Sequence, residues 1–389
     1  MSPTRLLIAC DKFKGSFSAN DACTAIARGW SQGWQDPAAG GLEIDLCPIA
    51  DGGEGFSAAM VAALNGTWHL APCHDALGRA ITAEYGTIPR SDGLYAVIEM
   101  AQAAGLWRIP AAERDIRHAH TYGVGELLRH ASQQHQLAGI FLGIGGSATN
   151  DGGLGMAAAL GWGFYDAAGV ELPPSPASIA RLVRIDGSQR VILPPIVAAC
   201  DVNNPLCGEH GAAAIFSPQK GASPSDVRFL DDAMRQLVSL CAAENRALQP
   251  GAGAAGGLGF GLLQWTDSAR LQSGFDLVAH ALELRRRIER ADLVITGEGS
   301  LDEQSLGGKG PIGVAEMAAE LGRPCLAMAG RISAGLRQHP LFAATHALLD
   351  AGLSLEETMQ QGTELLEQRA ALAASAWPLL ALPPRHDPA

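Results

Sequence analysis

The 389-residue chain reads as an α/β protein. A doubly wound, mainly parallel sheet is expected from the two ends of the chain, with a mixed α/β domain inserted between them. Three observations predict this. Short apolar runs near both ends alternate with helical stretches, the pattern of crossovers onto a parallel sheet. The middle carries longer β-type runs joined by turn residues, which suits hairpins. The composition is 47% hydrophobic but only 5% aromatic, which favours close-packed helices on a sheet over a β-sandwich. At ~150 residues per domain the length allows two or three domains.

Each element follows from a local signal. "RLLIAC" (5–10) predicts the first strand, and Ser18 caps a helix to about Trp30. "LEIDLCPIA" (42–50) predicts the second, followed by a helix to about Leu64. "WHLAPCHDALGRAITAEYGTI" and "LYAVIEMA" predict hairpin strands. A helix over 123–135, an apolar strand and a helix to about Leu160 come next. "VILPPIVAACDVNNPL" predicts a buried strand, and 223–248 and 275–290 predict one helix each. "ADLVIT", "RPCLAMAG" and "THALLD" predict three more strands, with a helix over 311–321. Residues 354–377 predict a single amphipathic closing helix. The expected division is 1–75 with 285–378, an insertion over 76–284, and a disordered tail over 379–389.

Charge and cysteine usage exclude several functions. The formal net charge is −12, and the one basic cluster, "LRRRIER", reads as a solvated helix face. A nucleic-acid partner is therefore not expected. No run of about 18 apolar residues predicts a membrane span, and the N-terminal apolar run is too short for a signal peptide. Eight cysteines without a C-x-x-C pair read as small buried hydrophobes in a reducing cytoplasm. A monomer or homodimer is expected.

Three strand exits carry charge beside glycine. "DKFKGS" holds Asp11, Lys12, Lys14 and Ser16; "DGGEG" holds Asp51 and Glu54; "GEGSLDEQS" holds Glu298, Asp302 and Glu303, with Lys309 beyond. In an open parallel sheet such loops gather at the carboxyl edge, where ligands bind. Surface turns explain one such loop, but three together suit phosphoryl transfer. There, lysines and backbone amides hold phosphate oxygens, carboxylates hold Mg²⁺, and one carboxylate takes the acceptor's proton. Candidate phosphate and substrate ligands are Lys12, Lys14, Ser16, Glu54 and Lys220. Asp302 and Glu298 are candidate metal ligands, and Asp51, Asp151 and Asp302 are candidate catalytic carboxylates.

"FLGIGGSATNDGG" (141–153) fits the same chemistry. An apolar strand runs into glycines and hydroxyls ahead of a helix start, where exposed amides bind anions. Gly145, Gly146, Ser147, Thr149, Asn150 and Gly152 are the candidate nucleotide contacts, and Asp151 is equally a helix cap. Other matches are discounted. "GAGAAGGLGFG" (251–261) satisfies G-x-G-x-x-G without a preceding strand, so it reads as a mobile lid, a substrate loop or a plain connector. "GGKGP" is not G-K-[ST], and no G-x-S-x-G elbow suggests a serine hydrolase. Turn chemistry explains "DVNNPL" and "SPQKGA" as well as a site does.

Taken in order, "ACDKFKGS", "PIADGGEG", "GIGGSATNDGG", "ACDVNNPLCG", "FSPQKGA", "PGAGAAGGLGFG" and "TGEGSLDEQSLGGKGP" resemble the type I glycerate kinase family. They span about residues 8–331, with a serine in "FSPQKGA" where a glycine often stands. The resemblance implies phosphorylation of D-glycerate by ATP and Mg²⁺, commonly at the 2-hydroxyl. It also implies a flavodoxin-like domain from both chain ends, an inserted α/β domain and an active site in the cleft between. A 3-phosphoglycerate product and a non-catalytic ligand-binding protein are the alternatives.

Overall fold

A computed structural model of the chain describes residues 3–34, 41–50, 52–302, 305, 310–352 and 354–377. Asp51, Glu303, Lys309 and the tail expected to be disordered lie outside the described residues. Among the described residues, eleven strands build two main sheets. In chain order they are β1 (Thr4–Cys10), β2 (Leu42–Leu46), β3 (Thr67–His74), β4 (Ala80–Arg90), β5 (Gly93–Glu99), β6 (Leu137–Gly143), β7 (Ile196–Ala199), β8 (Ala269–Gln272), β9 (Leu293–Gly297), β10 (Cys325–Ala329) and β11 (Ala344–Ala347). By contacts the chain divides into Met1–Asp51 with Val278–Ala389, and Gly52–Leu277. Residues 52–75 therefore group with the middle of the chain. The helix Phe56–Ala63 packs on β4 and β5, with Val61 against Gly86.

The first unit holds a sheet ordered β11-β10-β9-β1-β2, parallel throughout. Counted within the unit, this is the order 2-1-3-4-5: the doubly wound sheet that the strand–helix alternation predicts, in the flavodoxin-like form that the family resemblance implies. β1 alternates its side chains to both faces. Leu6, Ile8 and Cys10 meet Ile26, Trp30 and Leu366 from the helices Ala19–Gly33 and Gly362–Ala376. The helices Leu284–Arg290 and Pro311–Glu320 also contact β1. Ser18 caps the first helix through a reciprocal box with Asp21.

The second unit has a mixed sheet, β8-β7-β6-β5-β4-β3. β3, β4 and β5 form the antiparallel hairpins, while β5, β6, β7 and β8 run parallel. Its core gathers Ile98, Ile140 and Leu142 with Leu127, Met156, Leu237 and Phe260.

Four expectations need correction. The helix expected over 223–248 stops at Cys241, because Ala242 takes φ 48°, and a short turn Glu244–Ala247 follows. The helix expected over 275–290 is two, Gly274–Ala281 and Leu284–Arg290, separated by Glu283 at φ 50°. The closing helix breaks at Gln361 into Leu355–Gln360 and Gly362–Ala376, where the Phe17 ring lies close over Gly362. "GAGAAGGLGFG" is neither lid nor connector: residues 251–254 and 256–261 are buried. Ala255, Gly256 and Gly257 take φ 54°, 69° and 86°, and the helical turns follow from Leu258.

The helix Ala19–Gly33 approaches Gly362–Ala376 through two glycines. A Cβ at Gly29 would overlap the Glu367 carbonyl, and one at Gly33 the Ala371 carbonyl. Helix propensity alone makes Gly29→Ala stabilising by ~1 kcal/mol. We expect the reverse, a loss of ~1–3 kcal/mol from overpacking, read by urea unfolding. An unchanged or higher midpoint would show that the two helices separate without cost.

Candidate active site

β1 and β9 pair in parallel with Cys10 opposite Gly297, so their exit loops leave side by side. This is where the strand order reverses, the position at which doubly wound sheets bind ligands. The Asp11 amide donates to the Gly297 carbonyl at 2.8 Å, which starts the "DKFKGS" loop over the end of β9. The loop is tight. The Phe13 amide donates to the Phe17 carbonyl, and the two rings stack at 4.5 Å. Ser16 Oγ donates to the Met359 carbonyl at 2.6 Å. Asp11 is buried and its Oδ1 accepts from the Lys12 amide at 2.6 Å. Lys14 and Ser16 are exposed, and Lys12 is half-buried.

On the β9 side, the Gly299 backbone packs against Phe13 and Lys14. Glu298 Oε1 accepts from Ser305 Oγ at 2.9 Å, and Asp302 Oδ2 from Ser300 Oγ at 3.4 Å. Asp11, Lys12, Lys14, Ser16 and Glu298 line one cavity of about 630 Å³; Asp302 is not in its wall. Arg331 is also in the wall, and sequence reasoning missed it. Its signal was present, a cation immediately after "RPCLAMAG" leaves the sheet.

In the second unit the "DGGEG" and "GIGGS" loops meet backbone to backbone. A Cβ at Gly145 would lie 3.0 Å from the Gly53 Cα. Glu54, Gly145 and Gly146 are exposed. A second missed residue, the buried Glu99, accepts from the Ser57 amide at 2.8 Å through its carboxylate and so holds the start of the helix Phe56–Ala63.

Asp151 is fully buried. It accepts from the Thr121 amide and hydroxyl at 2.7 and 2.8 Å, and from the Gly153 and Gly155 amides at 3.1 and 3.0 Å. The chain's own carboxylate thus takes the helix-start amides that the sequence reading offers to phosphate, which is the capping alternative. The Gly152 amide is also taken, by the Gly256 carbonyl at 3.1 Å.

Lys220 is as buried as Asp151 is central. Its Nζ donates to Ser147 Oγ at 2.7 Å and to the Thr149 carbonyl at 2.6 Å, while Ser217 Oγ donates to Asn150 Oδ1 at 3.1 Å. The turn Pro218–Lys220 therefore braces the loop from beneath. Two buried groups there have no hydrogen-bond partner, Thr149 Oγ1 and Asn150 Nδ2. Burial brings the Lys220 ammonium down from 10.5 to about 7, with the Asp151 carboxylate opposing the drop. Between those two values the unfolded chain holds a proton that the folded chain has lost, so stability rises with pH. We expect thermal melts of Lys220→Met to lose that rise between about pH 7 and 10.5. An identical slope in both proteins would contradict this ionisation.

The profile of the glycerate kinase family matches residues 6–378. A glycerate kinase of Halalkalibacterium halodurans is 41% identical over 383 residues, covering 96% of this chain and 98% of that protein. A glycerate 2-kinase of Escherichia coli is 39% identical over 368 residues, covering 92% and 93%. The crystal structure of a putative glycerate kinase 2 from Salmonella typhimurium superposes with a TM-score of 0.84 at 37% identity, over 97% of this chain and 99% of that one. Fold, motif order and extended identity agree: this chain belongs to the glycerate kinase family.

Proposed function

We propose that the protein transfers the γ-phosphoryl group of ATP to D-glycerate, giving ADP and 2-phosphoglycerate, as a glycerate kinase of the type I kind. The observation that carries the reading is the grouping of Asp11, Lys12, Lys14 and Glu298 around one cavity at the switch point of the sheet. Phosphoryl transfer demands little covalent chemistry from the protein and much charge placement. Lys12 and Lys14 supply cations for phosphate or carboxylate oxygens. Glu298 and Asp302, with Asp11 on the adjacent strand exit, are the proposed oxygen donors for Mg²⁺; among the described residues no three such side chains converge, so phosphate and water would supply the remaining ligands. Bound there, Mg²⁺ would neutralise charge on the phosphate oxygens.

Asp51 and Asp302 are the proposed carboxylates for orienting the acceptor hydroxyl. Asp151 acts instead as a positioning residue, and Lys220, Ser147, Thr149, Asn150 and Gly152 as the frame that presents Gly145 and Gly146. Glu54 stands on the neighbouring exposed loop. Among the described residues no helix is long and apolar enough to cross a membrane. Eight cysteines outside any disulfide suit a cytoplasmic protein, working as a monomer or homodimer on a small-molecule substrate without nucleic acid.

Purified protein with ATP, Mg²⁺ and D-glycerate should release ADP, and phosphorus NMR should show the 2-phosphate. A 3-phosphate would correct the regiochemistry, and no ADP would sink the reading. Lys12→Ala should keep the circular dichroism spectrum and lower kcat/KM by ~10²–10³, the scale of losing one preorganised charge.

A further inference from the structure

We infer that the cavity at the β1/β9 switch point is the nucleotide's seat, with the base against Phe17, Leu348, Leu349, Leu355 and Met359. The inference rests on the kinase reading and deepens it by assigning which substrate fills this cavity. Three observations carry it. First, the space of about 630 Å³ is the size of a site for a drug-sized ligand and far exceeds what a three-carbon acid fills. Second, the walls differ in kind. Asp11, Lys12 and Glu298 line the strand-exit side, while Leu348, Leu349, Leu355 and Met359 come from the segment after β11. Of the two substrates, only a nucleoside triphosphate has both a polyanionic tail and a flat apolar base.

Third, the apolar wall stands open and tethered. Leu355 is 63% and Met359 38% exposed, on a helix that otherwise presents Glu and Gln. The Met359 carbonyl is held by Ser16 Oγ, and its methyl lies over Gly15, so the wall is fixed to the lysine loop. The rival place for the triphosphate, the helix start after Asp151, already has its Gly153 and Gly155 amides occupied.

Leu355→Asp and Met359→Ala test this in the full chain. Both side chains are partly solvated, so the fold should survive, which thermal melts check. For Leu355→Asp the Kd of a fluorescent N-methylanthraniloyl-ATP and the KM for ATP should rise ~10-fold or more, since an apolar wall gains an unpaired charge. For Met359→Ala both should rise less. The KM for glycerate should stay unchanged. Unchanged nucleotide affinity in both variants, or a rise in the glycerate KM alone, overturns the assignment. Wild-type protein that binds the analogue without phosphorylating glycerate, with binding lost in Leu355→Asp, supports the seat while rejecting the kinase reading.

Discussion

The pairing of β1 with β9 is the constraint on which the first unit depends. β1 is a central strand, flanked by β2 on one side and β9 on the other. Thr296 Oγ1 donates to the Ala9 carbonyl at 2.7 Å across 287 residues of chain. Closing a structureless loop of that length costs on the order of 5 kcal/mol beyond the constant term. Residues 52–277 are not structureless. They build their own hydrophobic core, which shortens the effective loop. Apolar side chains on both faces of β1 offset the remaining cost, and the same register sets the Asp11 and Glu298 loops side by side.

A different solution holds the second unit's loop. Glycine-rich backbone at a strand end is entropically expensive to order, yet residues 147–153 are buried. The ordering comes from two polar side chains placed inside the protein. Asp151 satisfies four donors, and Lys220 reaches two acceptors in the same loop. Buried polar groups are retained when they are hydrogen-bonded. "GAGAAGGLGFG" completes the frame. A Cβ at Gly256 would overlap the Thr149 carbonyl, and one at Gly257 would lie 2.9 Å from the Gly152 Cα. Those glycines are there for close approach, not for motion.

Reading the sequence succeeded where a signal is local. Ser18 was read as a helix cap and forms one with Asp21, and the structure shows the same reciprocal box at Ser223 with Asp226 and at Ser354 with Glu357. The alternation of short strands and crossovers carried the parallel sheet, and the hairpins were visible as turn residues between β-type runs. Helix ends were read less well. Ala242 and Glu283 adopt left-handed backbone although neither is glycine, and apolar periodicity runs straight through both. Arg331 and Glu99 were missed for a related reason. Each looks like an ordinary end of an apolar run until a neighbouring loop is placed against it.

Residue types and spacing by themselves determined the fold class, the order of the elements and the grouping of lysine and carboxylate at strand exits, because these depend on nearest neighbours along the chain. Only the tertiary structure decided which charges reach an open cavity and which are spent internally. Asp11 and Asp151 both follow apolar strands in glycine-rich surroundings. One lines a cavity; the other is enclosed by amides of its own unit. What separates them is the backbone packed against each, contributed by segments remote in sequence, and no pattern within the motif itself carries that information.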